Sequence, residues 1–182
     1  MNERSWSTAD KTDWGAGPWM AEPDKIQWVD DATNLDCLIV RGPLGALCGY
    51  VGVPPEHPWH GRDYSDTHYN DEGEYDTEVA KTAPDYIIEV HGGLTYADLC
   101  QEGVEEDRGV CHIPLDGRPH NVWWFGFDCA HSHDLSPAMA KRDRELGIAP
   151  LSSYGLGEHY RSVPYVRREV ESLARQLAAV SA

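Results

Sequence analysis

The segment Asn121–Pro137, NVWWFGFDCAHSHDLSP, constrains this chain more than any other. Val122 to Phe127 is an unbroken apolar run that stops abruptly at Asp128. Such a run, too short for a typical helix and rich in aromatics, predicts a strand buried on both faces. His131, His133 and Asp134 follow within six residues of Asp128. Polar groups just past the end of a buried strand sit at the rim of a core, where ligand sites are commonly built.

A second pattern supplies one cover for the sheet. Val163, Val166, Val170, Leu173, Leu177 and Val180 recur at spacings of three and four, which lays an apolar stripe along a helix. Ser162 is placed to cap that helix, Pro164 fits its first turn, and Glu171 and Arg175 form a favourable pair four apart. Ser136-Pro137 marks the start of another helix. Earlier in the chain, Lys25–Asp30, Leu35–Arg41 and Leu44–Val53 read as strands separated by the turn cluster 31–34 and by Gly42-Pro43. Gly45, Gly49 and Gly52 in the third of these predict a bulge or a face that another element approaches closely. Tyr86–His91 and Val110–Ile113 read as further strands, and a short helix is expected near Asp63–Tyr69 within the irregular stretch 54–84. The fold class expected is α+β: a mainly antiparallel sheet with helices packed on one side. Residues 1–24 lack periodicity and are expected to form an extended arm, pinned by Trp6, Trp14 and Trp19, ahead of a single domain over 25–182.

Charge restricts the partners. There are 31 acidic residues against 15 basic ones, a formal net charge of −16. Such a field repels phosphate backbones and anionic lipid, so direct nucleic-acid binding and membrane association are not expected. No stretch approaches the roughly 18 apolar residues of a membrane helix. The five cysteines, Cys37, Cys48, Cys100, Cys111 and Cys129, are odd in number and form no CxxC, and MNERSWSTAD has no apolar signal core. A reducing intracellular setting with five free thiols is therefore expected.

The candidate chemistry centres on the strand end. Asp128, His131 and Asp134 are spaced by three and can converge in a tight turn. Carboxylate, imidazole and carboxylate together suit a divalent ion such as Zn, Mn or Mg. His91, followed by Gly92-Gly93, is a further member, because glycines let a ligand or another backbone come close. Without a metal, a His–Asp pair among His91, Asp128 and His131 still makes a general base. The competing reading is structural: Asp128 accepts backbone N–H bonds in a turn, Asp134 belongs to the helix start, and His131 is a satisfied buried imidazole. His57 and His60 in PPEHPWHG can bind substrate together with Gly92 and Gly93, or simply fold Trp59 onto the core. Cys111-His112, and Cys129 near His131, suggest thiolate chemistry only faintly, since a free Cys in an apolar strand behaves as a small hydrophobe. HExxH, GxSxG, the deaminase HxE with PCxxC, the EF-hand loop, GxGxxG and the Walker motif are absent.

Taken together, GALCGYVGVPPEHPWHG, VHGGLTYA, WWFGFDCAHSHD and YVRREVESLARQL resemble a family of small proteins encoded by bacteriophages and prophages, especially those of actinobacteria. The resemblance runs from about Asp24 to the C-terminus. A small residue often stands in that family where His133 stands here, which argues against His133 as a required ligand. The resemblance implies action in the cytoplasm of an infected bacterial host and carries no particular activity with it. The leading expectation is a metal-dependent hydrolase or small-molecule-binding enzyme acting on a phosphorylated metabolite or nucleotide. The alternative is a non-enzymatic phage accessory protein for counter-defence, which sequesters a nucleotide signal or blocks a host protein through its acidic surface.

Overall fold

The C-terminal stripe forms the longest helix among the described residues. The computed structural model describes residues 3–65, 69–70, 72–101, 103, 105–150 and 157–180. Its strands are β1 (Arg4–Trp6), β2 (Lys25–Val29), β3 (Asp36–Arg41), β4 (Leu47–Val53), β5 (Tyr96–Leu99) and β6 (Trp123–Asp128). Its helices are α1 (Thr77–Ala80), α2 (Pro84–Ile87), α3 (Pro137–Glu145) and α4 (Val163–Ala178). The strands form one sheet in the order β1-β2-β3-β4-β6-β5, with every neighbouring pair antiparallel. The fold is α+β. No helix among the described residues is long and apolar enough to cross a membrane.

The alternation of side chains splits the sheet into two apolar faces. On one face Ile39, Leu47, Val51, Phe125 and Phe127 pack with Val166, Val170, Leu173 and Leu177 of α4. Each fully buried Leu or Val there stabilises the fold by about 1.5–3 kcal/mol. Gly49 makes the close approach possible: a Cβ on it would lie 2.5 Å from Val170 Cγ2 and 2.6 Å from Phe127 Cε1. Helix α3 does not lie on that face. Its first turn docks on the β3–β4 turn, where Ala138 N donates to Leu44 O.

The second face, with Leu38, Val40, Tyr50, Val122 and Trp124, carries Val110 from the 100–122 segment rather than a helix. Val110–Ile113 forms no strand. Side chains satisfy its backbone instead: Val110 N donates to Gln101 Oε1 at 3.1 Å and Ile113 N to Gln27 Oε1 at 2.9 Å. Lys25, almost wholly buried, donates to the carbonyls of Glu106 (2.8 Å) and Arg108 (3.3 Å). Arg118 pairs with Asp36 at 2.9 Å.

Tyr86–His91 is not a strand either. Pro84 opens the short helix α2, and residues 88–91 then run along α4. There Glu89 exchanges two backbone hydrogen bonds of 2.8 Å with the Gln176 amide, and His91 N donates to Glu169 Oε2 at 3.0 Å. Helix side chains have replaced a strand partner. Strand β5, which pairs with β6, falls at Tyr96–Leu99, between the segments expected to carry structure. Residues 63–65 are not helical, and 66–68 of the expected Asp63–Tyr69 helix lie outside the described residues.

The N-terminal arm is attached rather than extended alone, since β1 adds an edge strand. Trp19 is buried and meets Tyr160 edge to face. Asp24 accepts from Thr8 N and Ala9 N and pairs with Lys11 (2.6 Å) and Arg41 (2.7 Å). Ser136 and Ser162 occupy the cap positions, but neither side chain makes a capping hydrogen bond. Glu22 from the arm caps α4 instead, accepting from Val163 N at 2.8 Å.

Candidate metal centre

Strand β6 delivers the site. Cys129 N still donates to Leu47 O, and the chain then turns, with Asp134 N donating to His131 O at 2.9 Å. A returning segment clamps that turn: Leu135 N donates to His159 O and His159 N to His133 O. Two residues further on, Arg161 donates from Nε to Asp134 Oδ1 at 2.7 Å.

Asp134 is the buried hub. Its Oδ2 lies 2.7 Å from His91 Nε2 and also accepts from His131 N at 3.2 Å. Burial alone would raise its carboxyl pKa, but the hydrogen bonds from His91 and Arg161 prevail and hold it below the ordinary value. The group is therefore a carboxylate, which only accepts, so His91 Nε2 carries the proton. In the neutral ring His91 Nδ1 then accepts from the Tyr165 hydroxyl at 2.9 Å. Asp134, His91 and Tyr165 thus form a continuous chain, with Arg161 stacked 4.9 Å from the Tyr165 ring centre. Burial, followed by the nearby Glu169 charge, pushes the Tyr165 hydroxyl pKa up.

His131 completes the cluster. Its ring centre is 5.5 Å from that of His91, and its Nδ1 lies 3.6 Å from Asp134 Oδ2. That nitrogen is buried and has no hydrogen-bond partner. Gly92, with φ 69°, leaves room for the ring, because any Cβ there would strike the His131 imidazole. His91, His131 and Asp134 each offer one ligand atom, all within 4.8 Å of one another. Two imidazoles and a carboxylate are a donor set that suits zinc and other divalent first-row ions. These residues can therefore hold a metal ion, and the orphaned nitrogen fits one. A cleft of about 540 Å³ opens beside them, lined by Ser132, His133, Met139, Asp143 and Arg144 among others.

This assembly differs from the one expected. Asp128 is half exposed at the rim, where it accepts from Ala130 N (2.9 Å) and Thr95 Oγ1 (3.0 Å) and stands 3.8 Å from His131 Nδ1. It shapes the turn, and His91 takes its place among the three convergent ligands. Gly93 (φ 86°) faces open space. His133, at φ 80°, contacts Gly157 O rather than the cluster, in a backbone conformation that favours small residues. His57 bonds Leu177 O near the far end of α4 and accepts from Trp59 N, so both its ring nitrogens hold the loop. His60 bonds Asn121 O, at the opposite end of β6 from Asp128. Neither joins the strand-end group. Burial pushes the Cys129 thiol pKa well up, so the group is not a thiolate.

Arg161, which the basic cluster with Arg167 and Arg168 offered as a positive rim, does reach the site, whereas Tyr165 and Glu169 carry no such signal. Their only mark in the sequence is polar groups four apart beside the apolar stripe, which ordinary solvated helix faces share. Comparison with protein-family models, with curated proteins and with solved structures found no match.

Proposed function

We propose that the protein is a metal-dependent hydrolase or small-molecule-binding enzyme for a phosphorylated metabolite or nucleotide, with His91, His131 and Asp134 holding the ion. The observation that carries this reading is the buried, unpartnered Nδ1 of His131 beside a carboxylate and a second imidazole. An orphaned buried nitrogen is costly and uncommon, and a cation relieves it. A divalent ion supplies Lewis acidity at a phosphoryl oxygen and offsets the −16 field that would otherwise repel an anionic substrate. With an ion on His91 Nε2, that nitrogen would give up its proton and Nδ1–H would donate to the Tyr165 hydroxyl oxygen, the outer-shell arrangement of metal-binding imidazoles. Arg161 holds Asp134 ionised and brings a positive charge to the rim. The adjoining cleft has the volume of a small-molecule site. The resemblance to phage-encoded proteins points to action in the cytoplasm of an infected bacterium.

The acidic surface favours a second reading: a phage accessory protein that sequesters a nucleotide signal or blocks a host protein. Elemental analysis separates the two. Protein purified without chelator or His-tag, and with the disulfide between Cys100 and Cys111 intact, should carry about one divalent ion per chain. His131→Ala should lose that ion while melting no lower than metal-free wild type. Metal-dependent turnover of nucleoside phosphates by the wild type supports the enzyme, and stoichiometric binding without turnover supports the accessory role. Loss of stability in His131→Ala with no metal in either protein sinks the metal reading.

A further inference from the structure

Away from this centre, the second face of the sheet carries a cluster the sequence hardly signals. Cys100 follows β5, and Cys111 lies across the 101–110 loop. The loop's ends are pinned, since Gln101 N donates to Val110 O at 3.1 Å and Val110 N to Gln101 Oε1. Cys100 and Cys111 consequently sit with Cα atoms 4.5 Å apart and form a disulfide, so the expectation of five free thiols fails. Cys37, Cys48 and Cys129 remain free.

His112, buried beside the pair, is fixed from two sides. Its Nε2 contacts Pro119 O at 3.3 Å, and its ring meets Trp124 edge to face at 5.3 Å. A carbonyl only accepts, so in the neutral ring Nε2 carries the proton and Nδ1 presents its lone pair. That lone pair faces Cys100 Sγ at 3.8 Å. Trp124 Nε1 donates to the same sulfur at 3.5 Å, a contact that favours a thiolate. The ligand atoms of Cys100, Cys111 and His112 lie within 4.8 Å of one another. The two cysteines are only partly buried.

We propose that Cys100, Cys111 and His112 form a second, redox-gated metal site, which takes a zinc ion once the disulfide is reduced. Two thiolates and one imidazole are a zinc donor set that leaves one position for solvent. The softness of sulfur separates this site from the His91, His131 and Asp134 group. The steps balance. A phosphine reductant transfers two electrons to the S–S bond, becomes a phosphine oxide with oxygen from water, and leaves two Cys thiols bearing that water's protons. Zinc then displaces those two protons to solvent as the Zn–S bonds form. In the oxidised protein both sulfurs are spent on each other and the site is closed.

The test uses the full chain, reduced with a phosphine that is then removed without oxygen, and cobalt(II) as a coloured stand-in for zinc. Reduced wild type should show thiolate-to-cobalt charge-transfer absorption in the near ultraviolet, and zinc should abolish it. Oxidised wild type should not show it. Zinc should also protect two thiols of the reduced wild type from an aromatic disulfide reagent, reversibly with chelator, a readout that needs no variant to fold. Cys111→Ser should lose the absorption, and His112→Ala should weaken zinc protection of the two thiols at least about tenfold. Reduced wild type with neither absorption nor thiol protection overturns the proposal. So does a folded Cys111→Ser that keeps the absorption.

Discussion

Replacing Lys25 by Met should remove a rise in stability with alkaline pH. The Lys25 ammonium is almost wholly buried, donates to the carbonyls of Glu106 and Arg108, and lies 5.6 Å from the Trp6 ring centre. Burial dominates its titration and, against the pull of Asp107 and Glu106, lowers its pKa from 10.5 to about 8. Below about pH 8 the amine is protonated in both folded and unfolded chains, and its burial penalty is complete and constant. Between about pH 8 and 10.5 the unfolded chain binds more protons than the folded one, so stability rises with pH. A separation of about 2.5 units at ~1.36 kcal/mol each sets a ceiling of about 3 kcal/mol on that rise. Other groups also titrate in this range, so the useful quantity is the difference between wild type and Lys25→Met. Urea unfolding of both proteins from about pH 7.5 to 10.5 gives it. The offset at pH 7.5 carries the loss of two hydrogen bonds, worth about 1–3 kcal/mol, against relief of a buried charge. The slope isolates the amine. Parallel pH curves, or a wild type that loses stability faster than Lys25→Met as pH rises, would refute the burial argument for this lysine.

Three other outcomes follow from the packing and the caps. Gly49→Ala should destabilise by about 1–3 kcal/mol in urea unfolding, because its Cβ would meet Val170 and Phe127 at 2.5 and 2.6 Å; a variant as stable as wild type would mean that α4 lies further from the sheet. Glu22→Ala should cost about 1–3 kcal/mol through loss of the Val163 cap and the Tyr160 partner. Ser162→Ala, whose side chain caps nothing, should stay within about 0.5 kcal/mol of wild type in the same assay, and a larger loss for Ser162→Ala than for Glu22→Ala would reverse the assignment.

The sequence by itself determined what local periodicity can report. The stripe from Val163 to Leu177 specifies both a helix and its buried side, and the run from Val122 to Phe127 specifies a doubly covered strand, because burial acts on each residue's own apolar surface. The antiparallel strands β2, β3 and β4 were legible for the same reason, as was a polar group gathered where β6 ends. Tertiary structure alone decided the partners. The run through Ile87, Ile88 and Val90 has the composition of a strand, yet its backbone is satisfied by Gln176 and Glu169, more than seventy residues away. Helix α4 takes its cap from Glu22 rather than from the adjacent Ser162. Cys100 finds Cys111 because a backbone bond from Gln101 to Val110, and one from Val110 N to the Gln101 side chain, close the loop between them. At the site, Asp128 has the right spacing but His91 has the right position, since it arrives on a segment that α4 holds beside the turn after β6. Spacing along a chain limits which atoms can meet only within a turn or two. Convergence of ligands from separate elements is settled by how those elements pack.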